Sequence, residues 1–440
     1  MATAPDPGDD FPNGAFPGSL KPIRMRILIA SIGSHGDVHP YLALGRELIR
    51  RGQRVTFATS VGYRELVERH GLGFAPLRPE ARWDDLEFMR KVMSARQGPD
   101  FLIKRFLMPA VRDMYADLAG PAAEADLLVS HVLTYAVPIM AEKLGKPWAS
   151  TVLSPMVFFS AHDVPVLAQL PALAGLRRLG PGFNAGLFRL MKWISRPWAR
   201  PVGALRRELG LPPGRDALWE GQHSPRLVLA MFGARFGPPQ PDWPSSTVST
   251  GFPFLEPPGG ALDPELKRFL AAGEKPIVFT LGSAAVQVPG RFFAEAMAAA
   301  RQLGRRAVLV AGASAAALRD RLPPGMMASE WASYARLFPR AAAVVHQGGV
   351  GTTAEALRAG VPQVVMPFAY DQFDNAARVR RLGCGTSIRR NGVSARSLRR
   401  GLEAVLDRTE VAAAARREGD AIRPEDGAAR AAEVMLERFG

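Results

Sequence analysis

Apolar residues recur along the chain in two rhythms, and their alternation predicts the architecture. Short apolar runs at Arg26 to Ala30 (RILIA), Arg54 to Thr59, Asp126 to Ser130 and Trp148 to Leu153 read as buried strands. Tyr41 to Arg51, closed by Gly52, and Thr134 to Leu144 repeat instead at the period of an amphipathic helix. Strand, helix, strand in this order is a βαβ unit, which implies a parallel sheet with right-handed crossovers. Ligands of such sheets sit at the carboxyl ends of the strands, and the polar stretch Ser31 to Pro40, read as a loop, lies at that edge. From Phe236 to Asp263 the chain becomes dense in Pro and Gly and loses both rhythms, as a linker does. A second series follows: a strand at Pro276 to Thr280, a turn at Leu281 to Ser283, a helix at Arg291 to Leu303 and a strand at Ala307 to Val310. Two parallel-sheet α/β domains facing each other across a cleft are expected, the first over residues 25–235, the linker over 236–263 and the second over 264–440. The last thirty residues read as helical and as crossing back to the first domain.

Composition narrows this picture. The 440 residues are 47% hydrophobic and 22% charged, as in a globular protein with a large core. The single cysteine, Cys384, excludes an internal disulfide and a thiol metal cluster, which fits a reducing cytoplasm. No run of about 18 apolar residues suits a membrane span, and the acidic, Pro/Gly-rich residues 1–24 read as a disordered tail rather than a signal peptide. Met25 stands directly before the first strand, which leaves open a start there. The formal charge of +15 is spread as Arg over the whole chain without a basic-aromatic stripe, so no nucleic acid partner is expected. Anionic nucleotide-linked ligands or an anionic lipid surface use the same charge better. Residues 156–199 are apolar and basic together, with Phe158 and Phe159 at their start. They read either as a flap for a greasy acceptor, in peripheral contact with the inner face of the membrane, or as an ordinary packed insertion.

The densest chemistry lies between Val344 and Asn375, VVHQGGVGTTAEALRAGVPQVVMPFAYDQFDN. The apolar run Ala341 to Val345 stops at His346 and Gln347, and Gly348, Gly349 and Gly351 clear side chains from the turn. Thr352 and Thr353 are placed to cap a helix that Gly360 ends, and Val361 to Met366 returns as a strand. A helix start with unpaired N–H groups suits a diphosphate, each contact contributing about 0.3–1 kcal/mol.

These residues resemble the inverting nucleotide-sugar glycosyltransferases of GT-B fold, the superfamily of UDP-glycosyltransferases, sterol glucosyltransferases and bacterial antibiotic and rhamnolipid glycosyltransferases. Two blocks carry the resemblance: GSHGDVHP at Gly33 to Pro40, and Trp331 to Ala376, with Trp, His, Gly-Gly-x-Gly and Asp-Gln in the family's order. The resemblance implies two Rossmann-like domains. It also implies transfer of a hexose, glucose or rhamnose, from a UDP- or dTDP-sugar to a hydroxyl of a hydrophobic alcohol, with no cofactor beyond that co-substrate and no metal. Asp37 then stands at the general base, with His35 and His39 as flanking alternatives. His131 falls at the strand end where relatives carry the residue that orients the base. Ser283, His346 or Gln347, the amides at Gly349 and Gly351, Thr352 and Thr353 are implied around the diphosphate. Trp331 and Tyr334 are implied at the nucleobase, Glu355 at the ribose, and Asp371 with Gln372 at the sugar. A non-catalytic nucleotide-sugar binder or partner activator of the same fold remains the alternative.

Overall fold

The computed structural model describes residues 25–80, 85–171, 175, 178–255 and 262–440. The expected tail and part of the expected linker, residues 256–261, lie outside the described residues. The chain forms two all-parallel sheets. The first holds β1 (Arg26–Ala30), β2 (Arg54–Thr59), β3 (Gly73–Pro76), β4 (Leu127–His131), β5 (Trp148–Val152), β6 (Val228–Ala230) and β7 (Thr247–Ser249), in the order β3-β2-β1-β4-β5-β6-β7. The second holds β8 (Ile277–Thr280), β9 (Ala307–Val310), β10 (Met326–Ser329), β11 (Ala343–His346), β12 (Gln363–Val365) and β13 (Gly385–Ser387), in the order β10-β9-β8-β11-β12-β13. Two findings depart from the expectation. β7 is the edge strand of the first sheet although it lies inside the Pro/Gly-dense stretch, because three half-buried edge residues carry no apolar run to read. The segment Ser31 to Pro40 is a loop only as far as Ser34; the helix His35–Arg50 begins there.

Strand periodicity builds the layers. In β1, Ile27 and Ile29 enter one core, while Leu28 and Ala30 enter another on the opposite face. Both faces are covered, so the strand reads as a continuous apolar run. The first core takes in the helix His35–Arg50 and also Ala431, Ala432, Val434 and Met435 of the last helix, Gly427–Phe439. Arg51 Nη2 donates to the Ala429 carbonyl at 3.1 Å, fixing that return to the first sheet. The traffic also runs the other way: Phe88, Met89, Val92 and Met93, from the helix Leu86–Val92 and its end, share a core with Ile277 and Phe279 of β8. The two halves are therefore interlocked rather than merely linked.

A buried charge cluster fastens them further. Arg378, on the helix Gln372–Arg381, is 1% exposed and pairs with Asp374 at 2.6 Å and with Asp163 of the first half at 2.8 Å. Its Nη1 donates to the Phe236 carbonyl at 3.1 Å, and Asp374 Oδ1 accepts from the Val166 amide at 3.1 Å. Arg381 adds a second cation to Asp163 at 2.8 Å. Burial works against the Asp163 carboxylate, yet Arg378 and Arg381 hold it below the usual range. Arg378→Met should lower stability by about 3–5 kcal/mol, read from the urea transition, because Asp374 would stay buried without its cation while Asp163 kept Arg381 alone. Adding Asp374→Asn should return part of that loss; an unmoved transition in the single variant would show that the cluster holds nothing.

Candidate functional site

Asp37 owes its place to a capping box. Ser34 is the N-cap of the helix His35–Arg50, and its backbone N–H and Oγ donate to Asp37 Oδ2 at 2.8 and 3.1 Å. One carboxylate oxygen is thereby held by the turn. Gly33, at φ +149°, lies against it so closely that a Cβ would stand 2.2 Å from Oδ2, which leaves room for no side chain. The other oxygen faces His131, the last residue of β4, whose Nε2 is 3.8 Å from Asp37 Oδ1. That is a charge contact, beyond hydrogen-bond length. Register explains the meeting: Ala30 of β1 pairs beside Ser130 of β4, so both chains leave the sheet side by side. The imidazole is buried, and its Nδ1 has no partner among the described residues. Burial lowers its pKa, against the pull of the Asp37 carboxylate and the Ile32 backbone. Tyr41 packs edge-on against the ring, with its hydroxyl 2.5 Å from Thr151 Oγ1.

The flanking groups are spoken for in different ways. His35 and His39 meet edge to face at 5.2 Å, and His35 makes the same contact with Tyr63. Burial, helped by His35 and His70, pushes His39 down to about 4. Phe158 stacks on Trp243 at 4.2 Å, and Phe159 packs on Trp219 at 4.5 Å, so both are packing groups at the base of the 156–199 segment.

In the second half, Ser283 sits exposed in the short helix that opens at the end of β8. Across from it, Gln347 is buried over Gly282 and Gly349, where a Cβ would come within 2.2 and 2.7 Å of its Nε2. Its Oε1 is buried without a partner among the described residues. Turned the other way, the amide would put its NH₂ at that unpaired position. His346 is different. Its Nδ1 accepts from the Gly348 N–H at 3.0 Å, so Nε2 carries the proton and donates to Gln363 Oε1 at 2.9 Å. Burial pushes the ring down to about 4, and both nitrogens are committed to the fold.

The helix Val350–Ala359 starts earlier than its threonines suggest. Its N-cap is Gly349, without a side-chain cap, and Thr353 Oγ1 donates back to the Gly349 carbonyl at 3.0 Å. Thr352 and Thr353 therefore lie inside the first turn, buried, rather than at the cap. Gly351 faces open space. Trp331 is 59% exposed, a flat apolar face with nothing over it among the described residues. Tyr334 is engaged: its hydroxyl bonds Thr280 Oγ1 at 2.7 Å and its ring stacks on Phe338. Glu355 pairs with Arg358 at 2.9 Å.

Asp371 and Gln372 close the arrangement. Gln372 Oε1 accepts from the Phe368 and Ala369 amides at 2.9 and 3.2 Å, locking the turn after β12. Asn375 Nδ2 donates to Asp371 Oδ2 at 2.8 Å and to the Gly348 carbonyl at 2.9 Å, so one amide ties Asp371 to the Gly-rich turn. Its Oδ1 accepts from Ser154 of the first half at 3.4 Å. Tyr370, in a left-handed conformation at φ +52°, donates its hydroxyl to the Val92 carbonyl at 2.7 Å, again across the halves. Burial pushes the Asp371 carboxyl up to about 7, the Asn375 bond opposing and the carboxylates of Asp37 and Asp374 adding to the rise. Burial raises the Tyr370 and Tyr63 hydroxyls as well, with the Asp37 carboxylate adding to both. Sequence reading missed Asn375, Tyr370 and Gly33; the first two flank the acid-amide pair, and an Asn four residues after an Asp on a helix is the available signal.

The chain is similar to known proteins throughout. Residues 27–159 match the glycosyltransferase family 28 N-terminal domain, and residues 294–430 match the erythromycin biosynthesis protein CIII-like C-terminal domain. An O-mycaminosyltylonolide 6-deoxyallosyltransferase of Streptomyces fradiae is 34% identical over 94% of this chain and 97% of its own. The structure of the calicheamicin glycosyltransferase CalG4 superposes with a TM-score of 0.68 at 22% identity, over 95% of this chain and 98% of that one. The spinosyn rhamnosyltransferase SpnG, complexed with thymidine diphosphate, superposes at 0.68 and 20% identity, over 94% and 100%. This chain therefore belongs to the bacterial, antibiotic-type branch of the UDP-glycosyltransferase superfamily, as a GT-B glycosyltransferase that uses a nucleotide sugar.

Proposed function

We propose that the protein transfers a hexose from a UDP- or dTDP-sugar to a hydroxyl of a hydrophobic small molecule, with inversion and with Asp37 as general base. The observation that carries this reading is geometric: Ser34 holds Asp37 at the carboxyl end of β1, while Asn375, which grips Asp371, reaches Ser154 of the first half, and Tyr370, next to Asp371, bonds the Val92 carbonyl. The acceptor oxygen attacks the anomeric carbon while its proton passes to Asp37 Oδ1, the oxygen that Ser34 does not hold. The bond to the diphosphate breaks with its electron pair on the leaving oxygen. The open N–H groups of the helix Val350–Ala359 and the Gln347 amide take up that charge. His346, committed at both nitrogens, buttresses the turn instead. Trp331 offers its exposed face to the nucleobase, and Asp371 with Gln372 holds the sugar hydroxyls. Between the two sugars, the 6-deoxyallosyl group named for the Streptomyces relative favours a 6-deoxyhexose such as rhamnose over glucose.

Asp37→Asn should leave donor affinity nearly unchanged, by calorimetry, while product formation falls about 10²–10⁴-fold, the usual weight of a positioned base. Undiminished turnover would sink the base assignment. If wild type binds donor yet transfers to no acceptor in a broad alcohol panel, the chain is a binder instead. Gln347→Ala should raise the donor KM about tenfold or more, a loss of roughly 1.5–3 kcal/mol for a hydrogen bond to a charged group, at an unchanged melting temperature. An unchanged KM would move the diphosphate away from Gln347.

A pH signature follows from Asp371. Its folded pKa of about 7 lies above the ordinary carboxylate value near ~3.9, so the folded state holds this proton more tightly than the unfolded one. That stabilising contribution is full at low pH and is lost as pH rises through about 7. In the ligand-free protein, Asp371→Asn should raise the melting temperature relative to wild type at about pH 8 and little at about pH 4. Parallel melting curves across this range would show that Asp371 keeps no such proton.

A further inference from the structure

The helix Pro181–Ser195 is apolar on two sides, and only one of them is used. Asn184 and Phe188 are buried, and Phe188 packs with Phe159 and Trp219 over Ala161 and Val164. On the outer side Phe183, Leu190 and Ile194 follow at helical spacing with Trp193 beside them, and they are 49%, 51%, 56% and 72% exposed in that order. Of the ten large hydrophobic residues exposed among the described residues, six fall between Leu170 and Ile194. Isolated exposed hydrophobics are ordinary, but a concentration of this kind marks a contact surface.

The charge around the patch selects the partner. From residue 164 to residue 207 the chain contains eight Lys and Arg and no Asp or Glu. Arg189, Arg196 and Arg200 are exposed and have no carboxylate partner among the described residues. A two-fold contact between copies of this chain would set those like charges against one another. An anionic bilayer meets both demands at once, taking the apolar side chains at the acyl boundary and the cations at its headgroups, with Trp at the interface where its amphipathic ring is favoured. The scaffold beneath is rigid: Lys192 pairs with Glu220 at 2.5 Å, Trp219 Nε1 donates to Ser195 Oγ at 3.0 Å, and Asp163 ties the segment to the Arg378 cluster. No helix among the described residues is long and apolar enough to cross a membrane, so the contact is made on the surface.

We propose that the outer face of this helix seats the enzyme on anionic lipid bilayers, so that a hydrophobic acceptor is met where such molecules partition. The binding itself needs neither donor nor acceptor, so it stands or falls separately from the base and sugar assignments. The test is flotation of the purified full-length chain with vesicles of phosphatidylcholine containing phosphatidylglycerol, against phosphatidylcholine alone, at low and high salt. Wild type should float with the anionic vesicles and lose most of that binding in neutral vesicles or high salt. Trp193→Ser combined with Ile194→Ser should weaken it at least about tenfold, and each of Arg189→Gln and Arg196→Gln by about fivefold, as expected for roughly one interfacial cation. Brominated lipids should quench tryptophan emission of the wild type, and Trp193→Phe should lose that quenching while still floating, a readout that does not depend on the fold of the double variant. Wild type that stays unbound, or variants that float equally well, would overturn the proposal. So would a wild-type dimer that the Trp193 and Ile194 substitutions dissolve without changing flotation, which would give the face to a second copy.

Discussion

The site depends on a constraint of parallel sheets, that crossovers are right-handed and must therefore change faces wherever strand order reverses. In the first sheet the reversal lies at β1, flanked by β2 and β4; in the second it lies at β8, flanked by β9 and β11. At each place two successive connections part to opposite faces and leave a crevice at the carboxyl ends. The helix that follows β1 carries Asp37 in its first turn and His131 ends β4, so both candidate catalytic groups stand at the first crevice. Gly282 follows β8 and Gln347 follows β11, so the second crevice receives the Gly-rich turn. Chain topology, before any particular side chain, decides where chemistry can be placed in each half.

What topology does not decide is how the two crevices meet. A transfer reaction tolerates little error in the approach of its partners, and a misplacement of an ångström is costly. Here the alignment rests on contacts that cross between halves close to the site: Ser154 to Asn375, Tyr370 to Val92, and the Arg378 cluster at one end of the helix that begins with Gln372. A buried ion cluster is a weak source of net stability, because desolvation offsets most of its attraction. Its use lies in geometry. Arg378 is satisfied only when Asp163, Asp374 and the Phe236 carbonyl stand together, which penalises other arrangements of the two halves.

Much of this was legible in the sequence, for reasons that also explain what was not. β1, β2, β4, β5, β8 and β9 are largely buried and so appear as apolar runs, whereas β3, β7 and β13 are half-buried or exposed along most of their length and carry no such run. The early start of the first site helix was hidden because Ser34 and Asp37 look like loop residues until their reciprocal hydrogen bonds are seen. His346 and Gln347 could not be separated by spacing alone. Position along the strand separates them: His346 is the last residue of β11 and pairs with Gln363 on the neighbouring β12, while Gln347 begins the turn and swings over Gly282. The meeting of Asp37 with Asp371 lies beyond any local pattern, since it requires both sheets and the contacts between them.

The charge balance of the cleft follows from the same meeting. Two carboxylates and a dianionic leaving group would repel one another in a confined space, and the fold answers with distribution. Asp37 is anchored through one oxygen to the first turn of its own helix, a position where partial positive charge favours an acid. Asp371 is driven up to about 7 by burial, with the Asp37 and Asp374 carboxylates adding to the rise, so its charge is one that the fold resists. The start of the helix Val350–Ala359 has no side-chain cap and no acid in its first turn, and Gln347 lies over Gly349 beside it. Separation of this kind spreads the acidic groups: Asp37 sits where its helix start lowers the cost of its charge, and Asp371 where burial opposes the charge.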